Sequence, residues 1–144
     1  MSKSIFVFLL FLACNSFSQE VPNHTWKIIV KDSLTADQNL VLVSQTLLAN
    51  DFAIENTDPG SHKIKSAIKQ LENSSSTYFF EFTALAGAIE VTGEWNTNTT
   101  IYFQGVKSKS TFKPIENRGG RSGEVFIKMN DFALKMSGSY FYVF

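Results

Sequence analysis

Cysteine is almost absent from this chain. Of its 144 residues only Cys14 carries a thiol, so no disulfide forms within it. A form lacking the first 18 residues would have no thiol chemistry, no cysteine-based zinc site and no redox function. Histidine is nearly as scarce. His24 and His62 fit no His-x-x-x-His or similar ligand spacing, so no metal and no other cofactor is expected. An excess of either charge is missing too. Thirteen Lys and Arg face thirteen Asp and Glu, a formal net charge of zero, which withholds the global attraction that a nucleic-acid binder relies on. No Gly-x-Ser-x-Gly phrase surrounds Ser44, Ser61 or Ser66, which argues against a serine hydrolase. No apolar run reaches the roughly 20 residues of a membrane-crossing helix. What is present is a composition 44% hydrophobic and 18% charged, that of a globular domain. The length suits one domain and excludes a multidomain enzyme.

The longest apolar run, Ile5 to Ala13, follows Lys3 and precedes the small and polar stretch Cys14 to Glu20. These are the three regions of an export signal, expected to cover residues 1–18. Ser16 and Ser18 suit cleavage before Gln19, and the alternative is lipidation of Cys14, which directly ends the run. The expected location is therefore periplasmic or secreted, or the outer membrane for a lipoprotein, with membrane attachment only through Cys14. Removing residues 1–18 leaves 12 basic and 13 acidic side chains, a net charge of about −1.

Along the remainder, residues 19–25 read as a short tether and 26–144 as a single domain. Trp26 to Lys31 alternates, with Trp26, Ile28 and Val30 on one face, as a half-buried strand does. Thr35 with Gln38 forms a capping box, and Ala36, Leu40, Val43 and Leu47 follow at helical steps, so a helix is predicted over 35–49. Asp51 to Asn56 reads as a strand, Asp58-Pro59-Gly60 as a turn, and Ser61 to Leu71 as a strand rather than a helix, because that turn most simply joins antiparallel strands. Tyr78 to Leu85 and Ala88 to Trp95 make a hairpin through Ala86-Gly87, and Thr100 to Phe103 a short strand. After the polar stretch Gly105 to Gly123, Ser122 is placed to cap a second helix over 122–136, with Val125, Met129, Phe132 and Met136 on one stripe and Gly138 as its stop. A rival reading turns a hairpin at Asn130-Asp131. Tyr140 to Phe144 closes the chain as a strand.

With four or five strands between the helices, the order β-α-β-β-β-β-α-β predicts an α+β fold, a mainly antiparallel sheet with two helices packed on one face. The phrase Phe17-Ser18-Gln19 resembles the start of mature exported proteins of Bacteroidota. The body is similar to small envelope modules with a TATA-binding-protein-like layout, through Asn50-Asp51-Phe52-Ala53-Ile54 at the end of the first helix, Ile64 between polar residues, and Phe132-Ala133-Leu134 before a terminal strand containing Tyr. It departs from them at His62-Lys63, where such modules place Gly. The resemblance implies a noncatalytic envelope or lipoprotein module and carries over no catalytic residue.

The expected function is accordingly a noncatalytic exported module that binds a protein or envelope component. Two alternatives remain open. Glu81 and Glu90, on facing strands, could act as the carboxylate pair of a small hydrolase. The stretch 105–123, with Lys107, Lys109, Lys113, Arg118 and Arg121 against Glu116 alone, could bind an anion such as a lipid headgroup or glycan, its glycines and the following helix start supplying backbone amides. Lys63, Lys65 and Lys69 read as guards against edge pairing. Tyr78-Phe79-Phe80 places aromatics on both sheet faces, so an uncovered face would carry an apolar patch.

Overall fold

The computed structural model describes residues 20–144. The proposed signal segment, its cleavage before Gln19 and Cys14 lie outside the described residues.

The expected α+β architecture is present: two helices and a large, wholly antiparallel sheet. Strand β1 (Lys27–Lys31) leads into helix α1 (Ala36–Ala49), which crosses to β2 (Ile54–Asp58) at the far edge. There follow β3 (Lys63–Ser66), β4 (Lys69–Gln70), the long hairpin β5 (Thr77–Leu85) and β6 (Ala88–Asn96), β7 (Thr100–Phe103), β8 (Val106–Lys109) and β9 (Lys113–Pro114). Helix α2 (Arg121–Ala133) returns the chain to the last strand, β10 (Ser139–Val143). Eight strands form one sheet in the order β10-β1-β6-β5-β3-β2, with β4 also on β5 and β9 also on β6, while β7 and β8 pair only with each other. Eight strands thus lie between the helices among the described residues, rather than the four or five expected.

Alternation decides which side chains enter the core, because successive residues of a strand point to opposite faces. Ile28, Val30, Ile64, Phe80, Phe82, Ile89 and Val91 share one face and are buried, and both helices lie over it through Val43, Leu47, Val125, Met129 and Phe132. Phe132 of α2 packs on Phe82 with ring centroids 5.3 Å apart, and Phe52, just after α1, packs on Phe80 at the same distance. Each such side chain, fully buried, contributes roughly 1.5–3 kcal/mol relative to exposure. Gly93 lets β6 approach its neighbours: a Cβ there would meet Phe79 O at 2.5 Å and Ile115 Cδ1 at 2.7 Å.

The capping box forms as read, with Thr35 Oγ1 accepting from Gln38 N and Gln38 Oε1 accepting from Thr35 N. Strand is also correct for 63–66, although 61–71 is split in two. At the break, the buried Ser66 hydroxyl takes the Phe80 amide at 2.9 Å, satisfying a donor the ladder leaves unpaired.

Other expectations fail for identifiable reasons. The second strand starts at Ile54 because Asp51 adopts φ 58° in a turn after the helix. Ser122 does not cap α2. The cap is Gly120, and the Ser122 hydroxyl, buried, bonds Glu116 N and Glu116 O at 3.0 Å each. Helix α2 runs unbroken through Asn130-Asp131, so the hairpin reading is wrong there, and it ends at Ala133, before Gly138 can act as its stop. Residues 20–25 are tied down rather than trailing: Asn117 Nδ2 donates to Val21 O and Pro22 O, and His24 N donates to Asn117 O.

Candidate functional site: the uncovered face of the sheet

Since both helices take one face, the other faces outward, and its residues follow from the register. Lys63 lies opposite Thr83 and Lys65 opposite Glu81 across β3 and β5, Glu81 opposite Thr92 and Thr83 opposite Glu90 across β5 and β6, and Glu90 opposite Ile29 of β1. Direct cross-strand partners share a face, so these polar side chains form one continuous field. A groove of about 410 Å³ runs through it, lined among others by Trp26, Lys27, Lys63, Lys65, Glu81 and Glu90.

The groove carries charges of both signs, and one ion pair lies within it. Lys27 Nζ donates to Glu90 Oε2 at 2.9 Å, both side chains partly exposed. Lys65 Nζ reaches Glu55 at 3.3 Å and lies 4.3 Å from the Phe79 ring. Glu81 projects into the groove as an exposed side chain. Asp58 closes one end. Its carboxylate accepts from the Ser61 hydroxyl at 2.6 Å and from the Gly60 and Ser61 amides, and these bonds, the Ser61 hydroxyl foremost, hold its pKa below the ordinary carboxylate value.

Trp26 was expected on the core face with Ile28 and Val30. Those two are fully buried, while Trp26 is 41% exposed and lines the groove instead. The regular strand begins only at Lys27, so alternation does not extend back to it. Its ring lies 5.1 Å from Lys27 Nζ, leaving an amphipathic aromatic surface open to a ligand. The apolar patch expected at Phe79 does not form, because Phe112 packs over it at 5.3 Å and Phe79 is buried. Lys63 and Lys65 are not edge guards either, since β3 lies between β2 and β5.

No protein-family model matches the chain, and no curated protein matches it.

The basic side chains singled out in 105–123 are divided among separate elements. Lys107 and Lys109 stand on β8 and Lys113 on β9 opposite Trp95. Lys109 and Lys113 line a second groove of about 420 Å³ with Trp95, Asn96 and Ser110. Arg118 and Arg121 flank the start of α2, each with a carboxylate: Glu116 at 3.7 Å and Glu124 at 2.6 Å. The polar stretch 105–123 is thus partly strand and partly helix, and its basic side chains do not converge on one site. His62 lies 3.0 Å from Asp37, and among the described residues no group of three or more His, Cys, Asp or Glu side chains is placed to hold a metal. Among those residues no helix is long and apolar enough to cross a membrane.

Proposed function

We propose that this chain is a noncatalytic exported module whose uncovered sheet face binds an envelope component, a glycan or an extended polypeptide. One observation supports the reading most: an exposed indole, Trp26, stands at a groove lined by charged side chains of both signs and by threonines. A ligand that offers hydrogen-bonding groups and an apolar face together is matched by such a surface. The export signal read in residues 1–18 puts such ligands within reach.

A second reading has its own support. Glu81 and Glu90 line the same groove. Glu81 faces Thr92, two positions from Glu90, so the two are diagonal neighbours, roughly 7–8 Å apart. A residue spacing of that size is compatible with the roughly 6.5–9.5 Å between the carboxylates of inverting glycosidases. The Lys27 bond to Glu90 favours the binding reading, because it engages one of the two carboxylates as an acceptor.

The two readings separate in one experiment. The mature chain is titrated calorimetrically with fragments of envelope polysaccharide and peptide, and the same mixtures are examined by chromatography for cleavage. Binding reduced at least tenfold by Trp26→Ala, with every ligand recovered intact, is the expected result. Cleavage products that vanish in both Glu81→Gln and Glu90→Gln would establish the hydrolase instead.

A further inference from the structure

The hairpin of β7 and β8 stands outside the large sheet, and its two faces differ in chemistry. The register pairs Ile101 with Ser108 and Phe103 with Val106, then Thr100 with Lys109 and Tyr102 with Lys107. Ile101, Phe103 and Val106 therefore share one face, and Tyr102, Lys107 and Lys109 the other. Gln104 and Gly105, both at positive φ (48° and 81°), make the tight turn that places Phe103 and Val106 at the tip. Among the described residues this apolar side is largely open: Ile101, at the edge of the groove beside Trp95, is 61% exposed, Phe103 71% and Val106 68%. Exposed apolar side chains grouped in this way mark an interaction surface.

Charge identifies the occupant. Residues 95–115 hold Lys107, Lys109 and Lys113 and no Asp or Glu, a net charge of +3. The rest of residues 20–144 then holds 9 basic (12 less 3) and 13 acidic side chains, a net −4. Near an anionic surface such a charge distribution turns the hairpin inward and the body outward. A second copy of the chain is a poorer fit, because three apolar side chains fall well short of the roughly 800 Å² per partner that a stable protein interface buries.

We propose that the hairpin Thr100–Lys109 is a membrane-interface anchor for bilayers containing anionic lipid. Phe103, Val106 and Ile101 enter the boundary between headgroups and acyl chains, while Lys107 and Lys109 remain among the phosphates, the division of labour of amphipathic interfacial segments. It is independent of what the sheet face binds.

The test uses the chain from Glu20 onward, which holds the core described above and omits the apolar run Ile5 to Ala13, so that uptake reports on the hairpin. It is sedimented with vesicles of phosphatidylcholine, with and without phosphatidylglycerol. The anionic vesicles are expected to take up the chain and the neutral ones far less. Lys107→Ala and Lys109→Ala should each weaken uptake about fivefold, and Phe103→Asp more than tenfold. Thermal midpoints should stay unchanged, since the hairpin lies outside the core. If Phe103→Asp lowers its midpoint, the lysine variants decide alone. The proposal is overturned if the parent chain ignores both vesicles, if it takes to both equally, or if the variants bind as the parent does. It is equally overturned if the chain forms a dimer that Phe103→Asp dissociates and leaves vesicles alone, because the occupant is then a second copy.

Discussion

Asn39 is fully buried on α1, and its Nδ2 donates to Asp32 Oδ1 at 3.2 Å, Leu85 O at 2.9 Å and Ala88 O at 3.4 Å. It therefore fastens the helix to the turn of the β5–β6 hairpin. Asn39→Ala should cost about 1 kcal/mol or more, since Asp32 Oδ1, Leu85 O and Ala88 O lose their side-chain donor, and Asn39→Asp should cost more, because it sets a carboxylate against oxygen atoms. Urea unfolding checks both; equal stability of the three chains would show that the bonds carry no weight. The second residue to watch is Asp58. Its folded pKa lies below the ordinary 3.8, so its hydrogen bonds contribute stability in full above that value. The contribution is lost as pH falls through the folded pKa. In Ser61→Ala the largest cause is gone, and the Asp58 carboxyl, followed by NMR, should titrate at higher pH; an unmoved titration contradicts the assignment.

At the scale of elements, local signals read well where the physics is local. The box of Thr35 and Gln38 closes within one turn, so α1 was legible from its first residues, and Thr35→Ala should lower stability in urea by about 1 kcal/mol; a loss near zero would mean the cap is idle. The stripe Val125, Met129, Phe132 and Met136 was equally legible, and all four are buried. The start of α2 was not, because the Ser122 hydroxyl is spent on Glu116 six residues back. The hairpin of β7 and β8 was half seen, since Val106 to Lys109 falls in the polar stretch and only pairing with Thr100 to Phe103 makes it a strand. Trp26 was misplaced by carrying alternation one residue past the strand end.

For the molecule as a whole, the division into a covered and an uncovered sheet face was readable from the sequence, because two apolar helical stripes must bury themselves against one set of alternating strand residues. Glu81 and Glu90 were recognisable as lying on facing strands, and the structure puts both in one groove as diagonal neighbours. The rest of the groove was hidden. Lys63 and Lys65 joined it only because β2 pairs outside β3, and Phe79 left the apolar surface only because Phe112 returns from 33 residues further on. Such long-range pairings carry no local mark in the chain.

The central claim, that the working surface is the sheet face the helices leave open, is tested most directly by mapping a bound envelope fragment on the isotopically labelled chain by NMR. Amide and indole shifts are expected to concentrate at Trp26, Lys27, Lys65, Glu81, Glu90 and Thr92. Shifts confined to α1 and α2, with the Trp26 indole unmoved, would contradict the account.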